Sequence, residues 1–251
     1  MLPLVILNTL NIDWLPEIGY HLLSHYRQQM EITEGIRLRK SIRGYKPIPA
    51  PKEILMQILE IATHAPSTTN IQPWKFTVLG GKTLDELKIA LQEKFLAGEE
   101  SQSDFGPTPS YTGVYRERQV ALAKNLFQLM NIARDDRGKR IEWDLKAFRF
   151  FDAPNAIIIS IDEAVSNFLA ILSLGIVIQT IALTATDFGL GTCIERAPVD
   201  YPKVIRRITG IPESEKIAIG IAIGYPDWDF PANKLESSRE PSENITSWLG
   251  V

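Results

Sequence analysis

A chain of 251 residues makes about one or two domains of roughly 100–200 residues each, and buries roughly 70–75% of its unfolded surface without a disulfide or metal staple. Its 45% hydrophobic and 23% charged residues exclude wholesale disorder, and 16 Gly and 16 Pro without a period exclude collagen-like and low-complexity classes. Lys plus Arg number 27 against 30 acids, a formal net charge of −3, so no nucleic-acid partner is expected.

The single Cys193 excludes an internal disulfide and a multi-cysteine metal site. A reducing, cytoplasmic setting is the expectation, with no metal. Met1 to Leu10 is apolar, but no basic residue precedes it, so it does not read as a signal peptide. A partial helix is expected from about Leu15 to Met30. His21 and His25 share one face of it, with no third ligand, and read as solvated. A charged helix follows, from about Glu31 to Lys40, after which Pro47-Ile48-Pro49-Ala50-Pro51 breaks the chain. Ile54, Leu55, Ile58, Leu59 and Ala62 recur at helical spacing and should face the core. Ala65-Pro66-Ser67 ends that helix, and a polar turn leads into a strand, Trp74 to Leu79, closed by Gly80-Gly81.

Leu84 to Phe95 reads as a helix. Ala97 to Gly113 is rich in Gly, Pro and hydroxyls and reads as a mobile, lid-like loop. An amphipathic helix is expected from Gln119 to Ala133, and Asn155 to Ile161 is a continuous apolar run suited to a buried strand. Asn167 to Asp187 reads as a helix that carries no charge before Asp187. It is long enough to span a bilayer, but Ser, Asn, Gln and Thr interrupt it and no basic cluster flanks it. It is therefore expected to be buried in the core or in a dimer interface, not in a membrane. Ile205 to Pro212 reads as the end of a short helix and a turn. Ile217 to Ile223 is a second apolar strand, ended by Gly224-Tyr225-Pro226, and from Asp227 a polar tail should run over the surface. No linker divides the chain, so we expect an extension, residues 1–33, and one α+β layered domain, residues 34–251.

Several chemistries lack their residues. No Gly-x-Gly-x-x-Gly follows a strand, Gly80-Gly81-Lys82 lacks Walker spacing, and His64 at a helix end reads as a capping or surface residue, with no second feature to support a Ser-His-Asp or Cys-His set. The strongest basic cluster is Arg37, Arg39, Lys40 and Arg43 around Ser41. On a helix Arg39 and Arg43 would face one way. Guanidinium groups flanking a hydroxyl suit phosphate oxygens, although a basic run is also what a solvated face looks like. Ala65 to Trp74 gathers hydroxyl and amide groups able to hydrogen-bond a planar heterocycle.

With these segments the sequence resembles the FMN-dependent nitroreductase family. The motifs stand in order: Arg39 to Arg43, Ala65-Pro66-Ser67-Thr68-Thr69-Asn70-Ile71-Gln72-Pro73-Trp74, Gly189-Leu190-Gly191-Thr192, the strand ending Gly224-Tyr225-Pro226, and the tail residue Arg239. Tyr115-Arg116-Glu117-Arg118, Phe151-Asp152-Ala153-Pro154 and Asn233 with Arg239-Glu240-Pro241 resemble the nitrobenzoate-reductase-like branch. The resemblance implies a central, mostly antiparallel sheet flanked by helices, in an intertwined homodimer. It implies an enzyme that carries a hydride from NADH or NADPH through FMN to a nitroaromatic or quinone-like small molecule, by a ping-pong scheme. The flavin supplies the chemistry and the protein supplies orientation and field.

By the same resemblance Arg39 and Ser41 hold the FMN phosphate with Arg239, beside Lys40, which stands where a second arginine is common. Arg43 lies at the pyrimidine edge of the ring, where a cation stabilises negative charge. Pro66 and Ser67 come from the second subunit, Asn70 meets the ring's polar edge and Gln72 stands near it. Ile194, Glu195 and Arg196 pass the ring mainly through backbone groups. Ser237 replaces a second basic tail residue. Cys193, Trp74 and Tyr225 are expected to be packing residues, while Arg116 and Arg118 are surface charges or gate residues. The alternatives are reductive dehalogenation of the iodotyrosine deiodinase type, oxygen-dependent flavin fragmentation, and a non-catalytic flavin-binding redox module.

Overall fold

The structure is a computed structural model that describes residues 30–251. The expected Leu15–Met30 helix, the histidine pair and nearly all of the extension lie outside the described residues.

Four strands form one sheet: β1 (Trp74–Gly80), β2 (Asn155–Asp162), β3 (Gly191–Glu195) and β4 (Glu215–Gly224). Their order is β1-β2-β4-β3, and every pairing is antiparallel. The two most apolar runs take the central places. β2 is buried at every position but its last, because a strand covered on both faces must be apolar throughout.

Helices cover both faces. On one side lie α2 (Lys52–Ala62) and α6 (Phe168–Asp187), which pack on each other. Their core includes Leu55, Ile58, Trp74, Ile157, Ile159, Val177, Ile181 and Ile221. On the other side are α3 (Gly81–Leu96), α5 (Arg137–Phe148) and α7 (Pro202–Thr209), over Leu87, Leu91, Phe148, Phe150, Ile158 and Cys193. The remaining helices are α1 (Ile32–Leu38) and α4 (Gly113–Leu129). Trp74 is core and Tyr225 packs against it, as expected.

α6 is long and apolar enough to cross a membrane. Here one face, with Ala170, Leu174, Val177 and Ile181, is buried under the sheet. The other leaves Phe168, Leu169, Leu172 and Ile176 exposed. The Asn167 side chain caps its start by accepting from Ala170 N at 3.1 Å.

Two expectations need correction. α4 begins at Gly113, six residues before the expected start. The loop before it is anchored over its first half: Gln102 N donates to Asp200 O at 2.8 Å, and the hydroxyl of Tyr201 donates to Glu99 O at 2.9 Å. Asp104 Oδ2 accepts from both Arg206 and Ile217 N at 2.7 Å. Such partners fix a turn-rich segment whose composition alone suggests mobility.

Candidate functional site

The basic cluster is extended, not helical. α1 stops at Leu38, and Arg39 takes φ −57°, ψ 122°. Ser41 then bridges Thr192 in parallel, with Ile42 N donating to Thr192 O at 2.9 Å. The segment thus adds a short fifth piece to the sheet beside β3. In an extended chain side chains alternate, so Ile42 turns into the core while Arg39, Ser41 and Arg43 share the other side. The common face survives, by a period of two. Gly191 permits the approach, since a Cβ there would stand 2.4 Å from Ile42 Cγ1.

Arg43 is held from both ends. Its N–H donates to Asn233 Oδ1 at 2.6 Å, and Asn233 Nδ2 donates to Gly44 O at 2.8 Å and Asp227 O at 2.7 Å. The guanidinium lies 5.9 Å from the centre of the Phe151 ring, within cation–π range. That ring comes from a strained turn. Phe150, Phe151 and Asp152 all have positive φ, at 56°, 50° and 61°, a conformation non-glycine residues keep only when their surroundings impose it. Arg149 Nε and Lys146 Nζ brace the end of the turn by donating to the two Asp152 oxygens at 2.7 Å each.

Arg239 arrives from the tail, which it bends by donating to Ser237 O at 2.9 Å, Ser237 Oγ at 2.7 Å and Ser238 O at 3.0 Å. Burial, and then the Arg239 charge, hold the Arg39 pKa below the usual arginine range. Two guanidinium groups that repel one another beside a serine hydroxyl are arranged for an anion with several acceptor oxygens. Beneath them the Cys193 thiol is pushed up to about 12, by burial and then by Glu195, against the opposing pull of Arg43, Ser41 and Arg39.

The second expected segment lies elsewhere. Thr69, Asn70 and Gln72 have φ of 44°, 59° and 45°. This is a second run of strained non-glycine backbone, and such runs gather at functional sites. Ser67 Oγ accepts from Gln72 N at 3.0 Å, and Thr68 N donates to Ser173 Oγ on α6 at 3.2 Å. Gln72 Nε2 donates to Asn70 O and Oδ1, both at 3.3 Å. Pro66, Asn70 and Gln72 are exposed. Among the described residues no hydrogen bond or ion pair joins this turn to the arginine segment.

The profile of the nitroreductase family matches residues 36–225, which span both segments and the whole sheet. The chain belongs to the nitroreductase family. It is 29% identical over 222 residues to 4-nitrobenzoate reductase from Nocardioides sp., covering 85% of this chain and 88% of that one. The crystal structure of the FMN and NADPH-dependent nitroreductase NfnB from Sphigopyxis sp. strain HMH superposes with a TM-score of 0.84, at 26% identity, over 88% of this chain and all of that one. The FMN-dependent nitroreductase NfnB from Mycobacterium smegmatis, solved in complex with NADPH, gives 0.81 at 26% identity, over 87% and 100%.

In this nitroreductase-family chain the other expected site residues sit around β3. Ile194 is exposed on one face of the strand, and Cys193 and Glu195 are buried on the other. Arg196 ties down the loop, donating to Gly106 O at 2.8 Å and to Thr108, and pairs with Asp200 at 2.9 Å. Lys40 is half-buried between Arg39 and Ser41. A groove of about 850 Å³ runs between α4 and the tail, lined by Val114, Arg118, Leu122, Asn125, Ser237 and Arg239. The Arg118–Glu240 ion pair, at 2.5 Å, joins its two sides. Arg118 is therefore a strut, while Arg116 bonds Gln119 on its own helix at 2.5 Å. Sequence reasoning missed Asn233 and Phe151 as supports of Arg43. Both were visible only as parts of branch motifs.

Proposed function

We propose that the protein is an FMN-dependent NAD(P)H oxidoreductase that reduces nitroaromatic or quinone-like acceptors. The observation that carries this reading is the Arg39–Arg239 pair on the Ser41 side of the chain, a cationic clamp to which no acidic side chain is paired among the described residues. A flavin phosphate fits that donor set. Arg39, Ser41 and Arg239 would hold it, with Lys40 adjacent. Arg43, pinned through Asn233 and Phe151, would present its charge to the pyrimidine edge of the ring. Ile194, Glu195 and Arg196 would line the ring through their backbone. When bound, FMN supplies two-electron transfer between the nicotinamide and the acceptor.

The same reading includes a homodimer of the 34–251 domain, preceded by the 1–33 extension, acting in the cytoplasm. α6 exposes Phe168, Leu169, Leu172 and Ile176 on one face, and a contiguous apolar patch of this kind marks an association surface. The Pro66–Gln72 turn is bonded to that helix through Ser173. Association through α6 therefore carries Pro66, Ser67, Asn70 and Gln72 to the interface, where they would complete the partner's site. Among the alternatives, neither dehalogenation nor a non-catalytic module is favoured by relatives named as nitroreductases.

The test is anaerobic. Bound flavin should bleach on addition of NADH or NADPH and regain its colour with a nitroaromatic. Flavin that only a chemical reductant can bleach would refute the reductase reading in favour of the redox module or the fragmentation enzyme.

A further inference from the structure

Glu195 has both carboxyl oxygens buried and without a hydrogen-bond partner, alone among the carboxyl groups of the described residues. It sits on β3 opposite Gly220 of β4, where the Phe150 ring closes the space: a Cβ on Gly220 would stand 2.9 Å from that ring. Three groups with charge or a titratable proton face it. Arg43 is the single cation, and Tyr45 and Cys193 are neutral acids that burial, above all, holds from ionising. Arg43 hydrogen-bonds neither Glu195 oxygen; its guanidinium donates to Ser41 O at 3.4 Å and lies over Phe151. A carboxylate in this position would be shut off from bulk solvent, with neither a hydrogen bond nor a contact ion pair from the described residues, and an ionised group so placed neutralises instead.

We propose that Glu195 is held as a neutral carboxylic acid beneath the arginine segment and tunes Arg43: while neutral it leaves the Arg43 charge to a bound ligand, and when ionised it withdraws that charge. Burial raises the Glu195 pKa and Arg43 opposes it, so the acid form prevails below the raised pKa. Above it the proton passes to solvent, and the carboxylate competes for Arg43 with the negative charge that a bound flavin gains on reduction. The two negative charges disfavour one another, so flavin reduction and proton uptake by Glu195 become coupled over that pH range. The coupling rests on the flavin-binding reading; the protonation state of Glu195 does not.

Two measurements separate them. Infrared spectroscopy of the protein without cofactor should show a buried acid carbonyl band that is lost in Glu195→Gln and, should that variant fail to fold, in Glu195→Leu. No such band at neutral pH overturns the proposal whatever the protein binds. The midpoint potential of bound FMN is then followed against pH. Wild type and Glu195→Gln, which mimics the acid, should agree at pH 7. At higher pH the wild type should steepen by one proton per two electrons while the variant does not. A variant with a more positive potential at pH 7 means that Glu195 was already ionised, and equal slopes throughout mean that it is not coupled. Either result overturns the proposal. Absence of FMN binding in both proteins refutes the flavin reading instead, and leaves the infrared result to decide the state of Glu195.

Discussion

Arg39→Ala isolates the clamp. In the structure Arg39 is half-buried and works against Arg239, so without an anion the pair costs the fold something. Removing one member relieves that repulsion, and the cofactor-free protein should melt no lower than wild type. Ligand binding should suffer instead. Charge-assisted hydrogen bonds contribute about 1.5–3 kcal/mol, and each 1.4 kcal/mol is about a factor of ten in affinity. FMN should therefore bind roughly 10- to 100-fold more weakly. Riboflavin has no phosphate, so its affinity should hold. Titrating both ligands by flavin fluorescence against Arg39→Ala, Arg239→Ala and Arg43→Ala separates the roles. The first two should discriminate between the ligands, and the tail variant more so because Ser237 offers no second cation. Arg43→Ala should weaken both alike and make the flavin potential more negative. If Arg39→Ala weakens riboflavin as much as FMN, the phosphate assignment is wrong, and the arginines form a solvated basic face.

Leu172→Glu on the exposed face of α6 should convert the proposed dimer to monomer in sedimentation, and bound flavin should be lost with it; an unchanged mass would remove α6 from the proposed interface. Asp104→Ala strips Arg206 and Ile217 N of a shared, mostly buried acceptor, which should cost about 2–4 kcal/mol in urea denaturation. Hydrogen exchange should be slow across residues 102–106 and fast across 107–112; the reverse order would contradict the anchoring. Glu195→Gln should stabilise the cofactor-free protein. The folded state keeps the Glu195 proton while the unfolded carboxyl loses it near its ordinary value of about 4.3, so wild-type stability falls as pH rises between the unfolded and folded values. The gap should widen by up to about 1.4 kcal/mol per pH unit over that window. A gap that does not change with pH would refute it.

The parts of the fold legible in sequence are those whose pattern reports their own burial. β2 and β4 are continuous apolar runs because both faces are covered, and α6 carries no charge before Asp187 because one face is core and the other is apolar surface. β3 carried no such signal: five residues starting Gly-Thr-Cys become a strand through pairing with β4. α5 is largely polar, with Trp143, Leu145 and Phe148 buried, and its apolar positions are too few to announce a helix. α1 was expected to run to Lys40, but pairing with Thr192 takes Ser41 and Ile42 into the sheet and overrides local propensity. At the site, the arginines and the Pro66–Gln72 turn were legible because their residue types are unusual together. Asn233 was not, because its function is a bond to a backbone 190 residues away. The partnerless state of Glu195 was hidden for the same reason: it depends on what three other segments leave out.

The position of Cys193 bears on the lifetime of the catalyst. Nitro groups reduced at such a site become nitroso and hydroxylamine groups, electrophiles that combine with thiolates, and reoxidation by oxygen releases peroxide, which attacks the same species. The chain's one cysteine lies on the strand that borders the proposed clamp, yet it is 4% exposed and burial pushes its thiol pKa up to about 12. Thiolate, not thiol, is the reactive form. The protein therefore offers products formed at the proposed site no reactive thiolate on that strand.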